Sequence, residues 1–133
     1  MKIFLAIVLA FVIVDILIVV YVVYRRYRHK IPKKVIDETK ESWKKIIRQN
    51  DHKHAIMDAD NLLDHTLTKI GLKGNLGTKL KKSPKLFSNI NDIWAAHKIR
   101  NNIAHQIGYK VNEKTYKKSM LAFKQAFKDL KIF

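Results

Sequence analysis

The sequence predicts an all-α protein, a single N-terminal transmembrane helix followed by a four- or five-helix bundle. Three observations carry that prediction. Residues 3–24 form an apolar run in which Asp15 is the only charge. Beyond it, apolar residues recur at spacings of three and four, never two. The 133 residues include only four glycines and two prolines, too few turn formers for an all-β chain. Composition excludes more. With no cysteine, a disulfide framework, a Cys-ligated zinc site and a thiol nucleophile are all ruled out. Lys and Arg outnumber Asp and Glu 27 to 11, a formal net charge of +16 that favours polyanionic partners, nucleic acid or an anionic lipid surface.

The first element is the apolar run. As a helix it is about 33 Å long, enough to cross a hydrocarbon core of about 30 Å. Its many Val and Ile residues do not argue for a strand, because a backbone in lipid must satisfy its own hydrogen bonds. Tyr21, Tyr24 and Tyr27 fall where an interfacial aromatic belt sits, and Arg25, Arg26, Arg28, Lys30, Lys33 and Lys34 follow at once. The positive-inside rule then places the amino end outside and the rest in the cytoplasm, so the expectation is a single-pass protein of the cell membrane. A cleaved signal peptide fits less well, since the apolar region exceeds 7–15 residues and lacks an A-x-A-like site after it. Asp15 has two readings, a polar contact to a second anchor helix or a tolerated carboxyl group; it costs about 2.5–3.5 kcal/mol, which the apolar neighbours outweigh.

Residues 1–30 therefore read as the anchor with its basic flank, and residues 31–133 as a cytoplasmic helical domain. Ile31-Pro32 is the joint, because proline disfavours helical continuation. Asp37 to about Asn50 carries Trp43, Ile46 and Ile47 on one side. His54 to Ile70 places Ile56, Ala59, Leu63, Leu67 and Ile70 three or four apart, with Gly71 as C-cap. Asn75–Lys82 reads as a short helix. Ser83 then reads as an N-cap and Pro84 as N1 of a helix that runs to about Gln106, with Gly108 as terminator. Asn112 caps a last helix in which Tyr116, Met120, Phe123, Phe127 and Leu130 step by four and three, and Val111 with Tyr116 can staple that cap.

Chemistry near neutral pH falls to the six histidines. His52, His54 and Asp58 suggest a metal site only superficially, since His52 lies off the face shared by the other two, and no metal is assigned. Gly71-x-x-Gly74-x-x-Gly77 follows a helix, whereas a phosphate loop follows a strand, so it reads as a connector. Asp58, Asp60 and Asp64 are more simply partners of lysines, or of a cation on the helix carrying Arg100, than acid–base catalysts. The informative stretch is residues 93–105. At about 100° per residue, His97, Arg100, Asn101, Ala104 and His105 share about 140° of one helix face. Such polar groups on one side of a bundle helix mark a candidate pocket.

Arg100-Asn101-x-x-x-His105 resembles the R-x(4–6)-H motif of the HEPN superfamily, including the polar residue directly after the arginine. The order of elements is similar too, with Ala55-Ile56-x-x-Ala59-Asp60-x-Leu62-Leu63 in an earlier helix, then the glycine-bearing connector, then the motif helix. The resemblance covers about residues 37–130. It implies a HEPN-like bundle and metal-independent RNA cleavage leaving a 2′,3′-cyclic phosphate and a 5′-hydroxyl. Arg100 would stabilise charge on the phosphoryl oxygens, Asn101 would orient one of them, and His105 would move a proton. No cofactor is implied. The resemblance also implies a homodimer with the site across its interface, and a planar anchor raises the effective concentration that favours pairing. His97 and Tyr109 are binding candidates beside the motif. Trp43, Trp94, Phe123 and Phe127 sit at core spacing. The alternative is a non-catalytic anchored module that binds RNA, anionic lipid or a protein partner, with Arg100 paired to Asp60 or Asp64 inside the bundle.

Overall fold

The structure is a computed structural model that describes residues 1–27 and 31–133, with side chains described for 1–24 and 31–133. Arg28 and Lys30 of the basic flank, and the side chains of Arg25, Arg26 and Tyr27, thus lie outside the description. The chain divides into two compact units, Met1–Lys30 and Ile31–Phe133. The first is a helix, α1 (Lys2–Tyr27). Within it Lys2–Tyr24 is long and apolar enough to cross a membrane, and no part of that stretch is buried. Its aliphatic side chains are exposed on every side.

The second unit holds five α-helices and, among the described residues, no strand: α2 (Lys33–Ile46), α3 (His52–Lys69), α4 (Leu76–Lys82), α5 (Ile90–His105) and α6 (Glu113–Asp129). Asparagine or aspartate caps four of them. Asn75, Asn89 and Asn112 accept from the N–H groups of Thr78, Asp92 and Thr115, and Asp51 accepts from those of Lys53 and His54. The His54 backbone N–H, the His54 ring and the Lys53 N–H hold the Asp51 carboxyl below its usual range.

The centre is α3, which packs against α2, α4, α5 and α6. Ala55, Ile56, Ala59, Leu63 and Leu67 recur at helical spacing and are completely buried. They meet Phe123 and Phe127 of α6, Ile93 and Ala96 of α5, and Leu80 of α4 in one core. Trp43 of α2 closes the other side, edge-on to Phe127 at 5.4 Å. The C-terminus of α3 is a Schellman motif. Gly71, at φ +95°, donates to Thr68 O, and Leu72 N donates to Leu67 O. The same motif ends α6, but there Lys131 occupies the left-handed position at φ 59°.

Three boundaries differ from the sequence reading. Residues 33–36 join α2, because Pro32 stands before the first helical residue, where its missing N–H costs nothing. Asp51 rather than the region around His54 opens α3, since the carboxylate satisfies two otherwise unpaired donors. Ser83-Pro84 opens only the 3-10 turn Pro84–Leu86, and α5 begins at Ile90. The reason is tertiary. Phe87 turns extended to bury its ring, and the Ser88 N–H and hydroxyl both donate to Asp129 at the end of α6. That clasp leaves Asn89 to start the helix.

Candidate active site at the α3–α5 contact

The site is built on Asp60. It sits one residue after Ala59 on the inner side of α3, so its side chain enters the bundle and is only 3% exposed. A buried carboxylate is costly without donors, and α5 supplies an imidazole and a guanidinium. His97 Nδ1 lies 2.7 Å from Asp60 Oδ1, and Arg100 Nε lies 3.4 Å from Asp60 Oδ2. A carboxylate accepts, so the short contact places the proton of His97 on Nδ1 and leaves Nε2 as its basic nitrogen. The three-residue step from His97 to Arg100 brings both onto the Asp60 side of α5.

The remaining nitrogens of Arg100 turn outward. Nη1 donates to Asn101 Oδ1 at 3.2 Å, and Nη2 donates to Asn61 Oδ1 at 3.5 Å. Both contacts are long for charge-assisted bonds, so the guanidinium has capacity for a stronger acceptor. It borders a cleft of about 470 Å³ between α3, α4 and α5. Asn61, Asn75 and Lys81 line that cleft from α3 and α4; Trp94, His97, Arg100 and Asn101 line it from α5. Trp94 also stands edge-on to His97, with ring centroids 5.9 Å apart.

The floor is fixed by a second carboxylate. Lys79 is almost wholly buried and donates through Nζ to Asp64 Oδ1 at 2.7 Å, to Asp64 O at 2.9 Å and to Thr68 Oγ1 at 2.6 Å. All three ammonium protons have acceptors, which is what burial of a lysine requires. Asp64 is thereby ion-paired, and Asp60 is shared by His97 and Arg100. The mouth of the cleft keeps Arg100 and Lys81, and it suits an anion with hydrogen-bond acceptors.

The structure gathers His97, Arg100 and Asn101 of the sequence candidates, and sets His105 and Tyr109 apart. His105 is exposed at the last turn of α5, about 140° around the helix from Arg100, and does not line the cleft. Tyr109 is half-buried in the turn after α5. The weak metal set is dispersed: His54 bonds Asp51, Gln49 donates to Asp58, and His52 stacks on Tyr116 at 4.0 Å beside Glu113. Among the described residues no group of three potential ligands converges. Asn61, Asn75, Lys81 and Trp94 were not legible as cleft residues. For Trp94 the signal was its three-residue step to His97, which puts both rings on neighbouring strips of α5. No protein-family model matches this chain, and neither a curated protein nor a solved structure resembles it at a significant level.

Proposed function

We propose that this is a single-pass, membrane-anchored, HEPN-like protein whose helical domain binds RNA and cleaves it without a metal ion. The observation that carries the reading is the guanidinium of Arg100, braced from behind by Asp60 and flanked by Asn61 and Asn101, facing an open polar cleft. A fixed, permanently charged fork beside carboxamides is suited to the oxygens of a phosphodiester and to the extra charge of its transition state. The lysine-rich surface supplies attraction to the backbone. In this reading α1 crosses the membrane with the amino end outside, because the basic residues follow it.

The reading includes a homodimer, which the divergence of the two motif residues favours. Arg100 and His105 of one copy diverge by about 140°, so a phosphodiester touching both takes the arginine of one copy and the histidine of the other. His105 is exposed and free to serve a neighbour. The test uses the full chain in detergent micelles with mixed single-stranded RNA and EDTA. Arg100→Ala and His105→Ala should each abolish cleavage, and mixing the two variants should restore part of it. Wild-type protein that leaves RNA intact, or variants that cut as well as wild type, refute the reading.

A second reading is a non-catalytic RNA-binding module, favoured by the position of His105 outside the cleft. It predicts RNA binding lost in Arg100→Ala with no cleavage products from any variant.

A further inference from the structure

The polar cleft continues onto an open face of α5. Beside the 470 Å³ cleft lies a shallow surface bordered by Trp94, Ala95, His97, Lys98 and Asn101, all on that one helix. Trp94, His97 and Asn101 belong to both and form the ridge between them. The cleft is polar and carries Arg100 and Lys81, whereas Trp94 and Ala95 make the shallow surface apolar, with Lys98 at its edge. The cleft is large enough for one nucleoside, since ligand pockets run from about 300 Å³ upward, and the apolar surface beside it suits stacking of a second base. On the ridge stands the most constrained histidine of the domain. Its ring is 15% exposed, its Nδ1 is tied to a carboxylate that is 3% exposed, and no contact among the described residues occupies its Nε2.

Resting on the ribonuclease reading, we propose that His97 is the group that takes the ribose 2′-hydroxyl proton. The substrate is a single-stranded dinucleotide step laid across the ridge, one nucleoside in the cleft and the other against the apolar surface at Trp94 and Ala95. Asp60 is its positioning residue. It fixes the tautomer with the proton on Nδ1 and stabilises the imidazolium that forms, as a buried carboxylate does behind a catalytic imidazole. In the step, Nε2 removes the 2′-hydroxyl proton and the 2′-oxygen bonds to phosphorus. The bond from phosphorus to the 5′-oxygen breaks, and that oxygen takes a proton from His105 of the second copy. The products are a 2′,3′-cyclic phosphate and a 5′-hydroxyl. Water then returns both histidines to their starting protonation. This assigns base and acid to different residues and explains why His105 need not reach the cleft of its own chain.

The experiment separates base from acid by leaving group. Full-length protein in micelles with EDTA is given a DNA oligonucleotide containing one ribonucleotide, with either the natural 5′-oxygen or a 5′-bridging sulfur at the scissile position. Sulfur leaves without protonation, so an acid-deficient enzyme recovers on it and a base-deficient one does not. General acid–base groups contribute about 10²–10⁴-fold. His97→Gln should therefore slow single-turnover cleavage at least about 100-fold on both substrates, whereas His105→Ala should recover most of its rate on the sulfur substrate. Helical circular dichroism and RNA binding of His97→Gln check that it folds. Should it not, Asp60→Asn, which presents an amide to Nδ1 and favours the wrong tautomer, is read on the same two substrates with the same expected pattern. His97→Gln cleaving within about threefold of wild type, or recovering on the sulfur substrate, overturns the assignment to His97 and leaves the ribonuclease reading standing. Wild-type protein that cuts neither substrate overturns both.

Discussion

Replacing Asp60 by alanine should unfold the domain more readily than any other single polar truncation at the α3–α5 contact. The change leaves the His97 Nδ1 proton without its acceptor at 2.7 Å and removes the counter-charge of Arg100 at 3.4 Å. The first bond is short and buried, and a hydrogen bond involving a charged group contributes about 1.5–3 kcal/mol. Arg100 is 27% exposed and its approach to Asp60 lacks hydrogen-bond geometry, so its share is at most about 1 kcal/mol after solvent screening. The expected loss is about 3 kcal/mol. With a urea slope of about 1.5 kcal/mol per molar, the midpoint falls by about 2 M. Asp60→Asn keeps the shape and, with the His97 tautomer switched, one neutral hydrogen bond to Nδ1, so it should lose less than half as much. Urea titration in micelles, followed by tryptophan fluorescence, reads both, since Trp94 packs edge-on to His97 and senses the site. A midpoint for Asp60→Ala within 0.5 M (about 0.75 kcal/mol) of wild type refutes the idea that this carboxylate organises the site.

Other consequences are local. Lys131 sits at φ 59°, where a side chain is strained, so Lys131→Gly should stabilise the domain by about 0.5–1 kcal/mol in thermal or urea unfolding. Gly74 and Gly77 should respond in opposite directions. Gly74 is at φ +101° and an added Cβ would lie 2.9 Å from Thr78 Cγ2, so Gly74→Ala should cost more than about 1 kcal/mol. Gly77 lies inside α4 and its Cβ would meet Trp94 at an ordinary 3.5 Å, so Gly77→Ala should be neutral or stabilising in the same unfolding measurements. Burial pushes the Asp129 carboxyl up, but the Ser88 N–H, Gln125 and the Ser88 hydroxyl outweigh it and leave it below its ordinary 3.8. Its folded value is the lower one, so its contribution is complete above the unfolded value and fades as pH falls through the folded one. Asp129→Asn should therefore be less stable than wild type at pH 7, with the gap narrowing below about pH 4 in pH-dependent melting curves.

The helices were legible because each buries a stripe at helical spacing and starts at a residue that can cap it. Trp43, the α3 run from Ile56 to Leu67, and Met120, Phe123, Phe127 and Leu130 of the four-three series lie in the core where periodicity put them, with Tyr116 half-buried at its edge. The start of α5 was not legible. Ser83-Pro84 has the local chemistry of a helix start, but the burial of Phe87 and the clasp of Ser88 on Asp129 act over 41 residues of sequence and override it. For the cleft, helix-face geometry correctly grouped His97, Arg100 and Asn101, since a single helix fixes their directions. It could not exclude His105 from that group, because an arc of about 140° is wider than the strip one neighbouring helix covers. Nor could it show that α4 closes the cleft with Asn75 and Lys81, because the buried Lys79–Asp64 pair that ties α4 to α3 belongs to no apolar periodicity.

The distribution of charge matters more for function than its sum. The acids of the domain are used locally: Asp60 on His97 and Arg100, Asp64 on Lys79, Glu113 on His52 and Lys117, Glu41 on Lys44, Asp51 on the start of α3, Asp129 on Ser88. Many lysines have no such use. Lys81, Lys82 and Lys85 around the end of α4, and Lys114, Lys118, Lys124 and Lys128 along α6, make no ion pair among the described residues. Placing bases in the last turn of α4 suits its dipole, but that effect needs one or two charges and fades within a turn. A surface evolved for folding alone would intersperse acids among these lysines, because uncompensated like charge destabilises the compact state. Engaging these acids in local contacts while leaving those lysines unpaired has one physical consequence. Affinity for a polyanion comes from the surface, through release of its counterions, while the geometry that selects and positions a single phosphate comes from the few charges held rigid by Asp60.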